Sequence, residues 1–214
     1  MNGVLFDVDG TLVDSSYLHA LAWWRALREA GEDFPMTAVH HLIGMGADQF
    51  TQTLLGHEDG QLAQRHDAQM ERLRPEIRRF AGVPELLRAV KARGCSVVLA
   101  TSAGEDELAG LLSAISASDA IDEVTSAADA GASKPAPDIF LAAMRKAGLD
   151  RAMVVGDSIW DIRAARTAGL PCIGVETGGV SRLELTAEGA AAVYRDPHQL
   201  LEQLDSSPLA ALWR

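Results

Sequence analysis

Four short runs constrain this chain more than anything else in it: VLFD at 4–7, SVVLAT at 96–101, AMVVGD at 152–157 and PCIGV at 171–175. None alternates apolar with polar residues, so a strand built from any of them is buried on both faces. Helical patterns separate the later runs. GVPELLRAVKARG places Pro84 near a helix start, Leu86, Leu87 and Val90 on one side, and Gly94 at the stop. Leu108, Leu111, Leu112 and Ile115 follow the i, i+3, i+4, i+7 spacing of one helix face. Phe140, Ala143, Met144 and Ala147 repeat it between Pro137 and Gly148, and DIRAARTAG supplies another helix. Apolar strands alternating with helices require a parallel sheet covered on both sides, so the expected fold is an open, doubly wound α/β sheet.

Residues 16–81 break that rhythm. Tyr17, Ala20, Leu21, Trp24 and Leu27 predict one apolar helical stripe closed by Gly31, and shorter helices follow around AVHHLIGM and DQFTQTLLG. A longer polar helix carries Leu62, His66, Leu73, Ile77 and Phe80 along one face, with a kink expected at Pro75. With no strand signal there, the stretch reads as a helical insertion after the first strand. The expected division is a core of residues 1–15 and 82–214 and an inserted unit of 16–81.

The net charge of −11 argues against a nucleic-acid partner or an anionic membrane surface, since either needs a basic face. No apolar run reaches the length of a membrane span, and no signal peptide is visible, so a cytoplasmic location is expected. Cys95 and Cys172 stand apart from any Cys or His cluster and read as reduced packing residues. His40 and His41 are adjacent on a helix without carboxylates nearby, which favours a surface role over metal binding. Trp23 falls off the apolar stripe and is expected to pack at the seam between insertion and core.

In doubly wound sheets ligands bind beyond the carboxyl ends of the strands. The first strand ends at Asp7 and Asp9, which share a face if the strand persists that far; SVVLAT ends at Thr101 and Ser102; AMVVGD ends at Asp157. Lys134 lies in GASKPAPD, ahead of a helix that Pro137 begins. Taken singly, Lys134 reads as a solvated loop charge, Asp157 as a helix cap and Asp161 as exposed helix surface. Ending successive strands together, they describe one crevice. Like-charged carboxylates so close require a cation, and Mg²⁺ takes one or two carboxylates while leaving positions for water and a substrate phosphate. Such a site suits phosphoryl transfer, in which one aspartate attacks phosphorus and a second moves the proton.

DVDGT near the N-terminus, Thr101 at a strand end, Lys134 in SKPAPDIF, and GDSIWD at 156–161 resemble the four motifs of the haloacid dehalogenase-like hydrolases. A chance D-x-D-G-T match is on the order of one in 10⁵ per start position, and four motifs in order are far rarer. The resemblance covers residues 4 to about 175 and implies a Rossmann-like core with a helical cap. It implies Asp7 as nucleophile, and Asp9 as general acid/base and backbone-carbonyl metal ligand. Thr101 would be a phosphate-oxygen donor beside Ser102, Lys134 the charge clamp, Asp157 a metal ligand and Asp161 an outer partner of metal or lysine. A second aspartate at Asp9 favours phosphate esters.

The expected function is therefore Mg²⁺-dependent hydrolysis of a small phosphorylated metabolite by a monomer or small homo-oligomer. DGTLVDSSYLHALAWWRAL also resembles the β-phosphoglucomutase subgroup, where a histidine at the position of His19 couples cap closure to the acid/base. That subgroup carries Glu where this chain has Gly156, and basic residues where it has Ile43 and Ala47, so a sugar phosphomutase is the alternative reading. A non-catalytic phospho-ligand sensor is a third, opposed by the intact set of Asp7, Asp9, Lys134 and Asp157.

Overall fold

The computed structural model describes the backbone of residues 1–214 and the side chains of all of them except Glu105 and Asp106. Strand β1 (Asn2–Phe6) occupies the middle of a six-stranded parallel sheet of order β3-β2-β1-β4-β5-β6. It pairs on one side with β2 (Ser96–Ala100), Val4 opposite Val97, and on the other with β4 (Arg151–Gly156), Val4 opposite Met153. The strands β5 (Cys172–Val175) and β6 (Ala192–Tyr194) extend one edge, and β3 (Glu123–Thr125) closes the other. This is the doubly wound order, with its reversal of direction at β1 and hence a crevice between the ends of β1 and β4.

Both faces are covered, as the unbroken apolar runs require. Val4 and Phe6 point into a cluster with Leu86, Leu87 and Val90 of α5 (Val83–Ala92) and Ile115 of α6 (Glu105–Ile115). Leu5 points the other way, to Phe140 of α7 (Asp138–Lys146) and Ile162 of α8 (Ile159–Thr167). The two outer strands β3 and β6, three residues each, carry no recognisable run in the sequence; their pairing is set by the neighbour already in place.

Between β1 and α5 the chain forms helices α1 (Ser16–Glu29), α2 (Met36–His40), α3 (Ala47–Leu55) and α4 (Gly60–Leu73). They share a separate apolar cluster of Trp23, Ala26, Leu27, Val39, Phe50 and Leu62. The buried face of α1 is therefore rotated from the expected stripe: Trp23 is 5% exposed, whereas Tyr17 is 59% exposed and Trp24 lies half-buried beneath the Arg28 guanidinium. Trp23 wins the inner position because it stacks on Phe50 and His66, with ring centroids 4.0 and 4.2 Å away.

Pro75 ends α4 rather than kinking it. A 3₁₀ turn, Arg74–Glu76, follows Leu73, and the chain then extends so that Phe80 N–H donates to Leu12 O at 3.0 Å. Ile77 and Phe80 accordingly pack on the sheet cluster and not on a helix face. No helix among the described residues is long and apolar enough to cross a membrane.

Candidate active site

β1 ends at Phe6, but the Asp7 N–H still donates to Val155 O at 2.9 Å, which holds Asp7 at the mouth of the crevice. The chain then turns sharply: Val8 O accepts from the N–H groups of Thr11, Leu12 and Val13, and Gly10 adopts φ +79°. Glycine is needed there for a second reason. A Cβ on Gly10 would stand 2.1 Å from Ser16 Oγ and 2.2 Å from Asp157 Oδ2, and one on Gly178 would stand 1.7 Å from the same Asp157 oxygen.

Asp7, Asp157 and Asp161 are 5%, 4% and 0% exposed, and one carboxylate oxygen from each lies within 4.8 Å of the others. Lys134, 1% exposed, is ion-paired to Asp7 and sits 2.8 Å from Asp161 Oδ1, a charge contact outside hydrogen-bond directions. Asp161 Oδ2 is fixed by the Ser158 N–H at 3.1 Å and hydroxyl at 2.6 Å, the capping box that starts α8. Thr11 and Ser16 donate to Asp157 at 3.1 and 3.2 Å. Three buried carboxylates against one ammonium leave an excess of negative charge. Burial first, opposed by Lys134 and reinforced by Asp161, pushes the Asp7 carboxyl up to about 7. Burial and the charges of Asp7 and Asp161 raise Asp157 well above the carboxylate range.

Asp9 behaves differently. Its Oδ1 accepts from Ser15 Oγ at 2.7 Å and lies 3.3 Å from His19 Nε2, both on the helical insertion side. Burial alone would raise it, but the hydrogen bonds from His19 and Ser15 hold the Asp9 carboxyl below the usual range. A cavity of about 330 Å³ opens over Asp7, Asp9 and Lys134, bounded by Ser102 to Gly104, His19, Trp23, Arg74 and the loop from Ile43 to Ala47. Thr101 is wholly buried at the end of β2, its hydroxyl oxygen accepting from Ala103 N–H at 3.0 Å.

The model of the haloacid dehalogenase-like hydrolases matches residues 1–169. The chain belongs to that family. Phosphoglycolate phosphatase from Pseudomonas putida is 30% identical over 212 residues, 92% of this chain and 78% of that one. A hydrolase from Pseudomonas syringae superposes with a TM-score of 0.90 at 34% identity, over 96% of this chain and 99% of that one. CbbY from Rhodobacter sphaeroides, in complex with xylulose-1,5-bisphosphate, is 27% identical with a TM-score of 0.74, over 92% and 95%. This member of the family is an enzyme, a phosphoric monoester hydrolase. Divalent metals are general among the family's phosphatases, and the buried acidic cluster has the donor chemistry for one.

Within the haloacid dehalogenase-like frame, the structure brings Asp7, Lys134, Asp157 and Asp161 into contact, and sets Asp9 with His19 at the cavity's other wall. β1 ends at Phe6, before Asp7 and Asp9, so strand alternation does not set their directions; both line the cavity. Ser15, at the N-cap position of α1, makes no cap hydrogen bond, and its hydroxyl donates to Asp9 instead. His40 is not a free surface residue. Its Nε2 is 3.0 Å from Gly178 O and its ring stacks on Tyr17, tying the insertion to the loop after β5. Trp160 Nε1 donates to His41 O at 3.2 Å, and the Ser133 hydroxyl to Asp48, so three contacts hold the helices over the site.

His19 continues inward to His66. The proton directions follow from the partners: His66 Nδ1–H donates to Asp67 at 3.0 Å, leaving His66 Nε2 to accept from His19 Nδ1 at 3.2 Å while His19 Nε2–H donates to Asp9. This requires a cationic His19 and a neutral His66. Burial lowers His19, but Asp9 outweighs it and the net shift is upward; burial dominates at His66 and takes it down to about 4. A histidine depressed from 6.5 in the unfolded chain binds fewer protons when folded. Its contribution is complete above pH 6.5 and lost as pH falls through about 4, at about 3 kcal/mol. Thermal unfolding of the metal-free protein from pH 7 to 4 is therefore expected to show a loss that His66→Gln removes. An identical acid slope in both proteins would exclude a neutral buried His66.

Proposed function

We propose that this phosphatase hydrolyses a small-molecule phosphomonoester in the cytoplasm through an aspartyl-phosphate on Asp7, with Mg²⁺ as its metal. The observation that carries the reading is the split environment of the two aspartates. Asp7 is buried beside Lys134 within the acidic cluster, while Asp9 is turned to Ser15 and His19 at the cavity wall. Carboxylates held in such different surroundings can serve as nucleophile and as acid/base. The helices of 16–81 act as a cap over a core of 1–15 and 82–214.

The acidic cluster fits a hard divalent cation because one lysine leaves three buried carboxylates under-neutralised and Asp161 Oδ1 lacks a hydrogen bond. Asp7 and Asp157 would hold it together with the Asp9 carbonyl, which receives no hydrogen bond among the described residues. Bound there, the cation would offset charge on the phosphate oxygens.

Asp7 attacks phosphorus, and the bond from phosphorus to the leaving oxygen breaks as that oxygen takes a proton through Asp9, which the imidazolium of His19 resupplies. Lys134 orients the attacking carboxylate and is itself held by Asp161. Ser102, with the backbone to Gly104, lines the cavity where the phosphate oxygens would sit, and the buried Thr101 hydroxyl braces that turn through the Ala103 N–H. Asp9 then takes a proton from water, which attacks phosphorus and returns the carboxylate to Asp7. His19 keeps Asp9 in place for both steps.

Water is favoured over a phosphosugar as acceptor because the loop from Ile43 to Ala47 that roofs the cavity holds no Lys or Arg to grip a distal phosphate. The test is phosphate release from small phosphomonoesters with Mg²⁺. We expect excess EDTA to abolish it and added Mg²⁺ to restore it; release undiminished in EDTA would remove the metal. β-Glucose 1-phosphate with a trace of its bisphosphate is expected to give phosphate or nothing. Glucose 6-phosphate forming faster than phosphate would establish the mutase.

A further inference from the structure

The outer half of the cavity carries a charge pattern that the phosphoryl-transfer chemistry does not use. Arg74, in the 3₁₀ turn after α4, places Nη1 2.6 Å from Glu71 and Nη2 3.5 Å from Glu107 on α6. Arg74 and Glu107 both line the main cavity and a smaller recess of about 70 Å³ that also contains Asp9, His19 and Leu111. Among the described lining residues Lys134 and Arg74 are the Lys and Arg, and each already faces two carboxylates. His19 faces Asp9. Even the helix start in the roof, α3, has Asp48 in its first turn.

We propose that the cavity takes phosphomonoesters whose leaving group bears hydroxyls and no second negative charge, and that Glu107, steadied by Arg74, sets this preference. The inference rests on the phosphatase reading. Asp9, Arg74 and Glu107 line one recess, so a leaving group protonated through Asp9 lies beside Arg74 and Glu107. A carboxylate or second phosphate there meets Glu107 and Asp67 and finds no unclaimed Lys or Arg among the described lining residues. A hydroxyl both donates and accepts, so it can give a hydrogen bond to Glu107 and take one from Arg74 without displacing their contact. The loose 3.5 Å spacing leaves Glu107, 22% exposed, able to accept it.

A near-isosteric pair tests this: 2-hydroxyethyl phosphate and phosphoglycolate differ by CH₂OH against a carboxylate. The wild-type enzyme with Mg²⁺ should favour 2-hydroxyethyl phosphate in kcat/KM by about tenfold or more. Glu107→Gln removes the charge, keeps the shape, and should narrow the ratio, mainly through KM for phosphoglycolate. Arg74→Gln should widen it, because Glu107 is then unneutralised. Phosphoglycolate preferred by the wild type, or a ratio narrowed by Arg74→Gln, would overturn the proposal by making Arg74 an anion receptor. Equilibrium binding of the same pair to Asp7→Asn separates the two readings. Selective binding of the hydroxyl ligand without wild-type turnover would sink the phosphatase and keep the specificity; turnover with equal or reversed selectivity would do the opposite.

Discussion

Asp7→Asn is expected to abolish phosphate release, a loss on the order of 10⁴-fold or more, while leaving the fold in place. Asparagine has the shape of aspartate, and Lys134 retains Asp161 as its ion-pair partner, so the change does not strand a buried charge. What it removes is the oxygen nucleophile at the mouth of the crevice, where β1 delivers Asp7 through the bond from its N–H to Val155 O. Neighbouring carboxylates cannot replace it. Asp157 is tied by Thr11 and Ser16, and Asp161 by Ser158. Acid-quenched wild-type enzyme, caught during turnover, should carry phosphate on the peptide that contains Asp7. Covalent phosphate on the variant, or turnover within about a hundredfold of wild type, would show that another group attacks.

Much of this arrangement is legible in the sequence because strands buried on both faces leave a pattern no other element makes. VLFD, SVVLAT and AMVVGD become β1, β2 and β4, and the polar residues that end them meet at the crevice because parallel strands place their carboxyl ends on one side. Features set by tertiary contacts are less visible. The inner face of α1 depends on Trp23 finding Phe50 and His66, partners 27 and 43 residues away, which no periodicity encodes. Ser15 and the chain from His19 through His66 to Asp67 likewise depend on how α4 packs beside α1. The family resemblance marked His19, but Ser15 and His66 carried little signal: His66 stands one helix turn from Leu62 and Met70 on the buried face of α4.

Gly156 illustrates the converse, a sequence departure that the structure explains. A Cβ at that position would lie 2.5 Å from both Cβ and Cγ of Asp161. The space beside Asp157 that a larger residue would need is occupied here by the carboxylate that holds Lys134. Glycine at 156 and aspartate at 161 are thus one solution, in which the carboxylate beside Asp157 comes from the first turn of α8 and not from position 156.

Asp9→Asn is expected to cost between about 10² and 10⁴ in kcat, the range typical of a general acid/base. Asparagine can accept the Ser15 and His19 hydrogen bonds, so position is preserved and the proton is what is lost. The loss should fall on both half-reactions, because the group that protonates the leaving oxygen is the one that later deprotonates water. A substrate with a good leaving group, p-nitrophenyl phosphate, needs no proton in the first half. With it the variant should release p-nitrophenol in a burst close to one equivalent and then stall, since attack by water on the aspartyl-phosphate still lacks its base. With an alkyl phosphate the same variant should be slow in the first half and show no burst. A fall in kcat smaller than about tenfold, or a burst with neither substrate and both slowed equally, would take the acid/base role from Asp9. His19, the imidazolium hydrogen-bonded to its carboxylate, would then be the next group to examine.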